Sequence, residues 1–118
     1  MAGAEWERWR PEIAKACDGG HQTIESIEAN LASGLWRLLT SDTCCYVVEV
    51  QTYPAETSCT IWFAAGDLNG CASGLVDVEA WARLNGCTEI LIEGPLGWKR
   101  TLEPLGYAAW SITLRKAI

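Results

Sequence analysis

The chain predicts an α/β protein with a mixed sheet, its elements in the order α-α-β-β-β-α-β-α-β. Three observations carry that prediction. Apolar residues switch from helical spacing to strand patterning near Leu35 and return to helical spacing at Leu68. Three strand-like runs in succession, joined by short turns, imply an antiparallel meander. Finally, the short apolar run Glu89-Ile90-Leu91-Ile92 follows an amphipathic helix, an arrangement that pairs in parallel through a right-handed crossover.

The elements follow from residue patterns. Trp6, Trp9, Ile13 and Cys17 fall on one helical face. Pro11 disfavours helical dihedrals at Arg10, so the expected helix covers residues 11–17, with Trp6 and Trp9 in a separate leading turn. Gly19-Gly20 stops it. Thr23 is the expected N-cap of a second helix, Glu25 and Glu28 suit its positive end, and Ile24, Ile27, Leu31 and Leu35 form its buried stripe up to Gly34. Residues 35–39, 44–51 and 58–65 are the expected strands of the meander. Leu68, Cys71, Leu75, Val78 and Ala82 then form a helical stripe widened by Trp81, and Asn85-Gly86 ends that helix. Trp98, Leu102 and Leu105 give a short helical face. Residues 107–115 alternate Ala108, Trp110, Ile112 and Leu114 against Ala109, Ser111, Thr113 and Arg115, as a last strand would. Trp36, Trp62, Trp81, Trp98 and Trp110 all lie on these elements, so most belong in the core.

At 118 residues the chain suits one domain, residues 1–118, with a single core. Seven tryptophans and an apolar fraction of 49% exclude intrinsic disorder. The net charge of -6 argues against nucleic-acid binding, and Lys99-Arg100 is too small a basic cluster to reverse that. No run is long enough to span a bilayer. Met1-Ala2-Gly3-Ala4-Glu5 opens no signal-peptide h-region, so the six cysteines are expected as reduced thiols in a cytoplasm or a virion. Cys44-Cys45 are neighbours and Cys17, Cys59, Cys71 and Cys87 stand alone, which is no metal-binding spacing. On a strand Cys44 and Cys45 face opposite sides.

Several segments carry a family likeness. They are Val47-Val48-Glu49-Val50 through Tyr53-Pro54, Ala64-Ala65-Gly66-Asp67-Leu68, and Trp81-Ala82-Arg83 through Gly97-Trp98-Lys99-Arg100. Gly19-Gly20-His21 and the ending Gly94 to Gly106-Tyr107 add to them. Together with the element order they resemble the GNAT acyl-CoA N-acetyltransferases with both outer strands trimmed, and in particular small GNAT-like proteins of phages and prophages. The resemblance implies transfer of an acetyl group from acetyl-CoA to an amine. It also implies a cofactor site where two parallel strands splay apart, formed by Ala65, Gly66, Asn69, Gly70, Cys71 and Trp98, with no metal. Glu93, at the end of the parallel strand, is the candidate general base. Glu49 faces either the cleft or solvent, and His21 sits in a loop or cap.

Three residues depart from the family pattern. The pyrophosphate signature Gln/Arg-x-x-Gly-x-Gly/Ala is replaced by Gly66-Asp67-Leu68-Asn69-Gly70-Cys71, whose acid competes with phosphate for helix N–H groups. Leu102 occupies the position where many GNATs carry a tyrosine acid, and Pro95 stands where an arginine is expected. Three functions stay open: an active acyltransferase, a catalytically inactive GNAT-fold virion or host-interaction protein, and a binding module for another small ligand. Either the last strand sits directly beside residues 89–92 or a gap remains there for another chain to fill, and such an open edge predicts self-association or pairing with another protein chain.

Overall fold

The computed structural model describes residues 3–94 and 97–118, so Pro95 and the arginine expected there lie outside the described residues. Helix α1, Gly3–Ala16, runs unbroken through Pro11, which corrects the shorter helix expected from sequence. An interior proline costs a helix on the order of 3 kcal/mol. Trp6, Trp9 and Ile13 are all buried along the same face. Full burial is worth roughly 1.5–3 kcal/mol per such side chain, so packing against the sheet outweighs the local cost.

Helix α2, Ile24–Ser33, begins and ends as its sequence requires. Thr23 Oγ1 accepts the Ser26 N–H at 3.1 Å, and Ser26 Oγ accepts the Thr23 N–H at 3.0 Å, a reciprocal cap. Gly34 closes it in the left-handed region at φ 82°. Leu35, expected on the buried stripe, is instead exposed. The left-handed turn at Gly34 takes the chain off the helix one residue earlier, and the Trp36 N–H donates to Asn30 O at 3.0 Å. That turn seats the Trp36 ring in the core in place of Leu35.

Strands β1 (Arg37–Thr40), β2 (Cys44–Thr52) and β3 (Thr57–Gly66) form the expected antiparallel meander. Helix α3 (Leu68–Leu84) then crosses over to β4 (Glu89–Ile92), which pairs in parallel with β3 to complete the order β1-β2-β3-β4. A short helix α4 (Gly97–Leu102) and a 3₁₀ turn (Glu103–Leu105) follow.

The sheet carries helices on both faces, and β2 divides its residues between them. Cys44, Tyr46 and Val48 join Cys59, Ile61, Leu75, Val78, Ala82 and Cys87 on the α3 face. Cys45 and Val47 join Trp6, Trp9, Ile13, Ile27, Leu31 and Trp36 on the α1/α2 face. The two adjacent cysteines therefore do point to opposite sides, and all six thiols are free.

The strand expected over residues 107–115 does not form. A strand exists only through its ladder, and this segment has none. The chain is anchored at Tyr107, whose N–H donates to Leu102 O at 3.3 Å and whose hydroxyl donates to Glu79 Oε2 at 2.7 Å. Beyond that anchor, a groove of about 360 Å³ lies between residues 107–111 and β4. Trp110, expected in the core, is 79% exposed in consequence.

Candidate functional site

The parallel pairing of β3 with β4 covers only four positions, from Ser58↔Glu89 to Ile61↔Ile92. β4 stops there, whereas β3 continues to Gly66. Over residues 62–66, β3 thus keeps its partner β2, and among the described residues no strand pairs with its other edge. Its backbone groups on that edge are free to bond a ligand.

A β-bulge sits where the strands part. Val47 pairs with Phe63 and Val48 with Ile61, leaving Trp62 as the extra residue. The bulge resets the side-chain alternation. Trp62 and Phe63 both pack on the α1/α2 face, and small Ala64 turns to the α3 face.

Small residues at the end of β3 leave space. A cavity of about 170 Å³ is lined chiefly by Ala64, Ala65, Gly66, Cys71, Trp98 and Leu102, with Tyr46 and Thr101 supplying hydroxyls. A second cavity, about 320 Å³, opens toward the end of α1 between Ala16, Trp62, Phe63, Glu93 and Gly94. The two share Ile61, Ala64 and Trp98 and lie side by side at the splayed end of the sheet, and the pair is called the slot. The Trp98 indole lies against Gly94, where a Cβ would stand 3.4 Å from the ring.

Glycines set how closely α3 approaches β2 at the rim of this slot. A Cβ on Gly70 would stand 2.5 Å from Thr43 Oγ1, and one on Gly74 would stand 2.7 Å from the Tyr46 hydroxyl. Gly66, at φ 124°, turns the chain against the Thr43 carbonyl. These contacts let the Tyr46 hydroxyl donate to Cys71 O and the Cys44 thiol donate to Gly70 O at 3.5 Å.

Burial pushes the Cys71 thiol up to about 11, helped by neighbouring Cys44, and its Sγ donates to Ala65 O at 3.6 Å. Burial likewise pushes the Tyr46 hydroxyl well above its ordinary range. Both groups hold their protons at neutral pH, so neither is a nucleophile.

The sequence-predicted residues separate into three groups. Ala65, Gly66, Cys71 and Trp98 line the first cavity. Glu93 is exposed at the mouth of the second, one residue past β4. Asn69 is exposed in the first turn of α3 and lines neither cavity, and Gly70 packs on Thr43. Glu49 turns out to be structural, its Oε1 accepting the indole N–H groups of Trp36 at 3.1 Å and Trp62 at 3.0 Å. His21 is exposed in the loop before α2. The side chain of Leu68 lies outside the described residues. Among the described residues no cluster of metal-ligating side chains occurs, and no helix is long and apolar enough to cross a membrane.

Solved structures share this architecture almost end to end. A probable acetyltransferase superposes with a TM-score of 0.72 at 11% identity, covering 98% of this chain and 94% of its own. An aminoglycoside N-acetyltransferase in complex with CoA gives 0.67 at 17% identity, covering 100% and 97%. The ribosomal-protein-alanine N-acetyltransferase of Brucella melitensis gives 0.68 at 15%, covering 97% and 94%. The chain has the GNAT fold. Neither a protein-family model nor a curated protein sequence matches it. The apolar cavity between α3 and α4 sits where β3 and β4 part. Leu102, at the position where many GNATs carry tyrosine, lines that cavity and presents no proton donor.

Proposed function

We propose that this protein is an N-acetyltransferase that moves an acetyl group from acetyl-CoA to an amine. The observation that carries the reading is the slot itself: an apolar cavity beside an unpaired strand edge, open on both sides of the sheet. The donor's amide-bearing arm would run beside residues 62–66, offering its amides to the free backbone groups. The acceptor would enter from the α1 side, past Glu93.

The chemistry then needs little from the chain. As the amine nitrogen bonds the acetyl carbon, its proton passes to the Glu93 carboxylate, and the carbon–sulfur bond breaks with its electron pair on sulfur. A thiol with an ordinary pKa of about 8.5 is a competent leaving group near neutrality, and solvent at the open mouth can reprotonate it. Leucine at position 102 is compatible with that course. Calorimetry with acetyl-CoA tests the reading: micromolar binding, with mass-spectrometric detection of an acetylated amine, supports it. Absence of both overturns it in favour of an inactive GNAT-fold protein.

A second reading concerns partners. β4 has a free edge, and Trp110, Ile112 and Leu114 alternate along an exposed segment that forms no ladder. We infer that a second copy of this chain adds a strand in the groove between β4 and residues 107–111, joining the two unsatisfied elements. A concentration-dependent dimer in sedimentation, abolished by Trp110→Asp with Ile112→Asp, supports this. A monomer at all concentrations overturns it. The phage or prophage origin rests on the sequence resemblance alone.

A further inference from the structure

Where the apolar cavity meets the first turn of α3, at Gly66, Cys71 and Ala72, a donor leaving the slot passes the N-terminus of a helix. That end is ordinarily a seat for phosphate, because its N–H groups are unpaired and its partial charge is positive. Here one of those N–H groups is taken by the chain's own carboxylate. Asp67 is the N-cap, and its Oδ2 accepts the Gly70 N–H at 3.4 Å. Its own N–H donates to Thr43 O at 3.2 Å, which pins the residue to the start of β2.

Among the described residues, no cation lines the cavity wall beside this carboxylate. Lys99 and Arg100 are exposed on α4, neither lines the cavity, and Lys99 stands 3.6 Å from Glu103. The wall consists of aliphatic and aromatic carbon with the Tyr46, Thr101 and Cys71 side chains. Those surfaces match the neutral, amide-bearing arm of a thioester donor and offer a diphosphate no cation.

Building on the acyltransferase reading, we propose that this chain recognises its donor through the pantetheine arm and disfavours the nucleotide diphosphate. A pantetheine thioester lacking the nucleotide is then as good a donor as acetyl-CoA. Asp67 is the residue that sets the preference, by holding negative charge at the N-terminus of α3, where the apolar cavity meets that helix.

The test compares acetyl-CoA with S-acetylpantetheine by calorimetry at fixed ionic strength, on the native protein and on Asp67→Ser. Serine keeps an N-cap acceptor and removes the charge, so the variant retains helix α3, as a circular-dichroism melt will verify. The native protein should bind S-acetylpantetheine at least as tightly as acetyl-CoA. Asp67→Ser should tighten acetyl-CoA by about threefold to tenfold, the scale of a charge at a helix end, and leave S-acetylpantetheine unchanged. Native binding that favours acetyl-CoA by tenfold or more overturns the inference alone. So does an Asp67→Ser protein whose acetyl-CoA affinity does not move. If neither thioester binds either protein, the acyltransferase reading itself falls, and this inference with it.

Discussion

On the α1/α2 face of the sheet, partly buried polar pairs close the packing. Glu49 takes the indole N–H groups of Trp36 and Trp62, and Glu28 takes that of Trp6 at 2.9 Å while bonding Arg10 at 3.1 Å and 3.2 Å. Trp36 and Trp62 stack at 5.8 Å. On the α3 face the closing device is absence of side chain: Gly70 and Gly74 draw the helix onto β2, and beyond them helix and sheet part to leave the cavity. The contrast separates a frame from a working surface. Large side chains with satisfied polar atoms fix one face, and small residues keep room on the other.

Substitutions at the two faces should therefore fail in different ways. The largest effect is expected at Glu49. Glu49→Leu strands two half-buried indole donors and should cost about 3 kcal/mol in urea unfolding, whereas Glu49→Gln keeps an acceptor and should cost about 1 kcal/mol. Equal stability of the two variants would show that the indole bonds do not hold the frame. A smaller effect, and one of another kind, is expected from Ala64→Phe. The added ring occupies the cavity, so thioester binding should weaken by more than tenfold, while the unfolding free energy moves by less than about 1 kcal/mol because the new ring enters existing space. A large loss of stability with intact binding would mean that the cavity is structural slack and not a donor slot.

The frame was more legible in the sequence than the site. Periodicity located eight of the nine expected elements, because stripes such as Leu75, Val78 and Ala82 record burial directly. The unbroken course of α1 through Pro11 was hidden, since local dihedral preference cannot weigh the burial of Trp6 and Trp9. The strand over residues 107–115 was over-read for the opposite reason: alternation reports that a segment is suited to a sheet, not that a partner is in reach. Of the residues the resemblance named, Ala65, Gly66, Cys71 and Trp98 line the cavity, and so does Tyr46, which it did not name although alternation with Cys44 and Val48 places it on the α3 face. The bulge at Trp62 left no signal, because two adjacent aromatic residues read as an ordinary buried strand. Asp67 stood out in the sequence as an acid at the start of α3, and in the structure it is the N-cap, accepting the Gly70 N–H.

The smallest expected effect compares the two faces through their thiols. Cys45, on the α1/α2 face, is pushed up to about 12 by burial, and Cys71, on the cavity wall, to about 11, both from an ordinary 9.0. A thiol held protonated in the folded state contributes stability that is fully present below pH 9 and is lost as pH rises through its folded value. Between pH 9 and 10 one such thiol removes about 1 kcal/mol. Cys71→Ser should therefore flatten the decline of unfolding free energy over that interval by about 1 kcal/mol relative to the native chain, with no difference in slope below pH 8. The two faces differ in access: Cys45 is fully buried and Cys71 partly exposed to the cavity. At pH 9 a small thiol reagent should modify Cys71 well before Cys45, and a thioester seated in the slot should slow the first reaction and leave the second alone. Protection of Cys45 instead would place the ligand on the wrong face of the sheet.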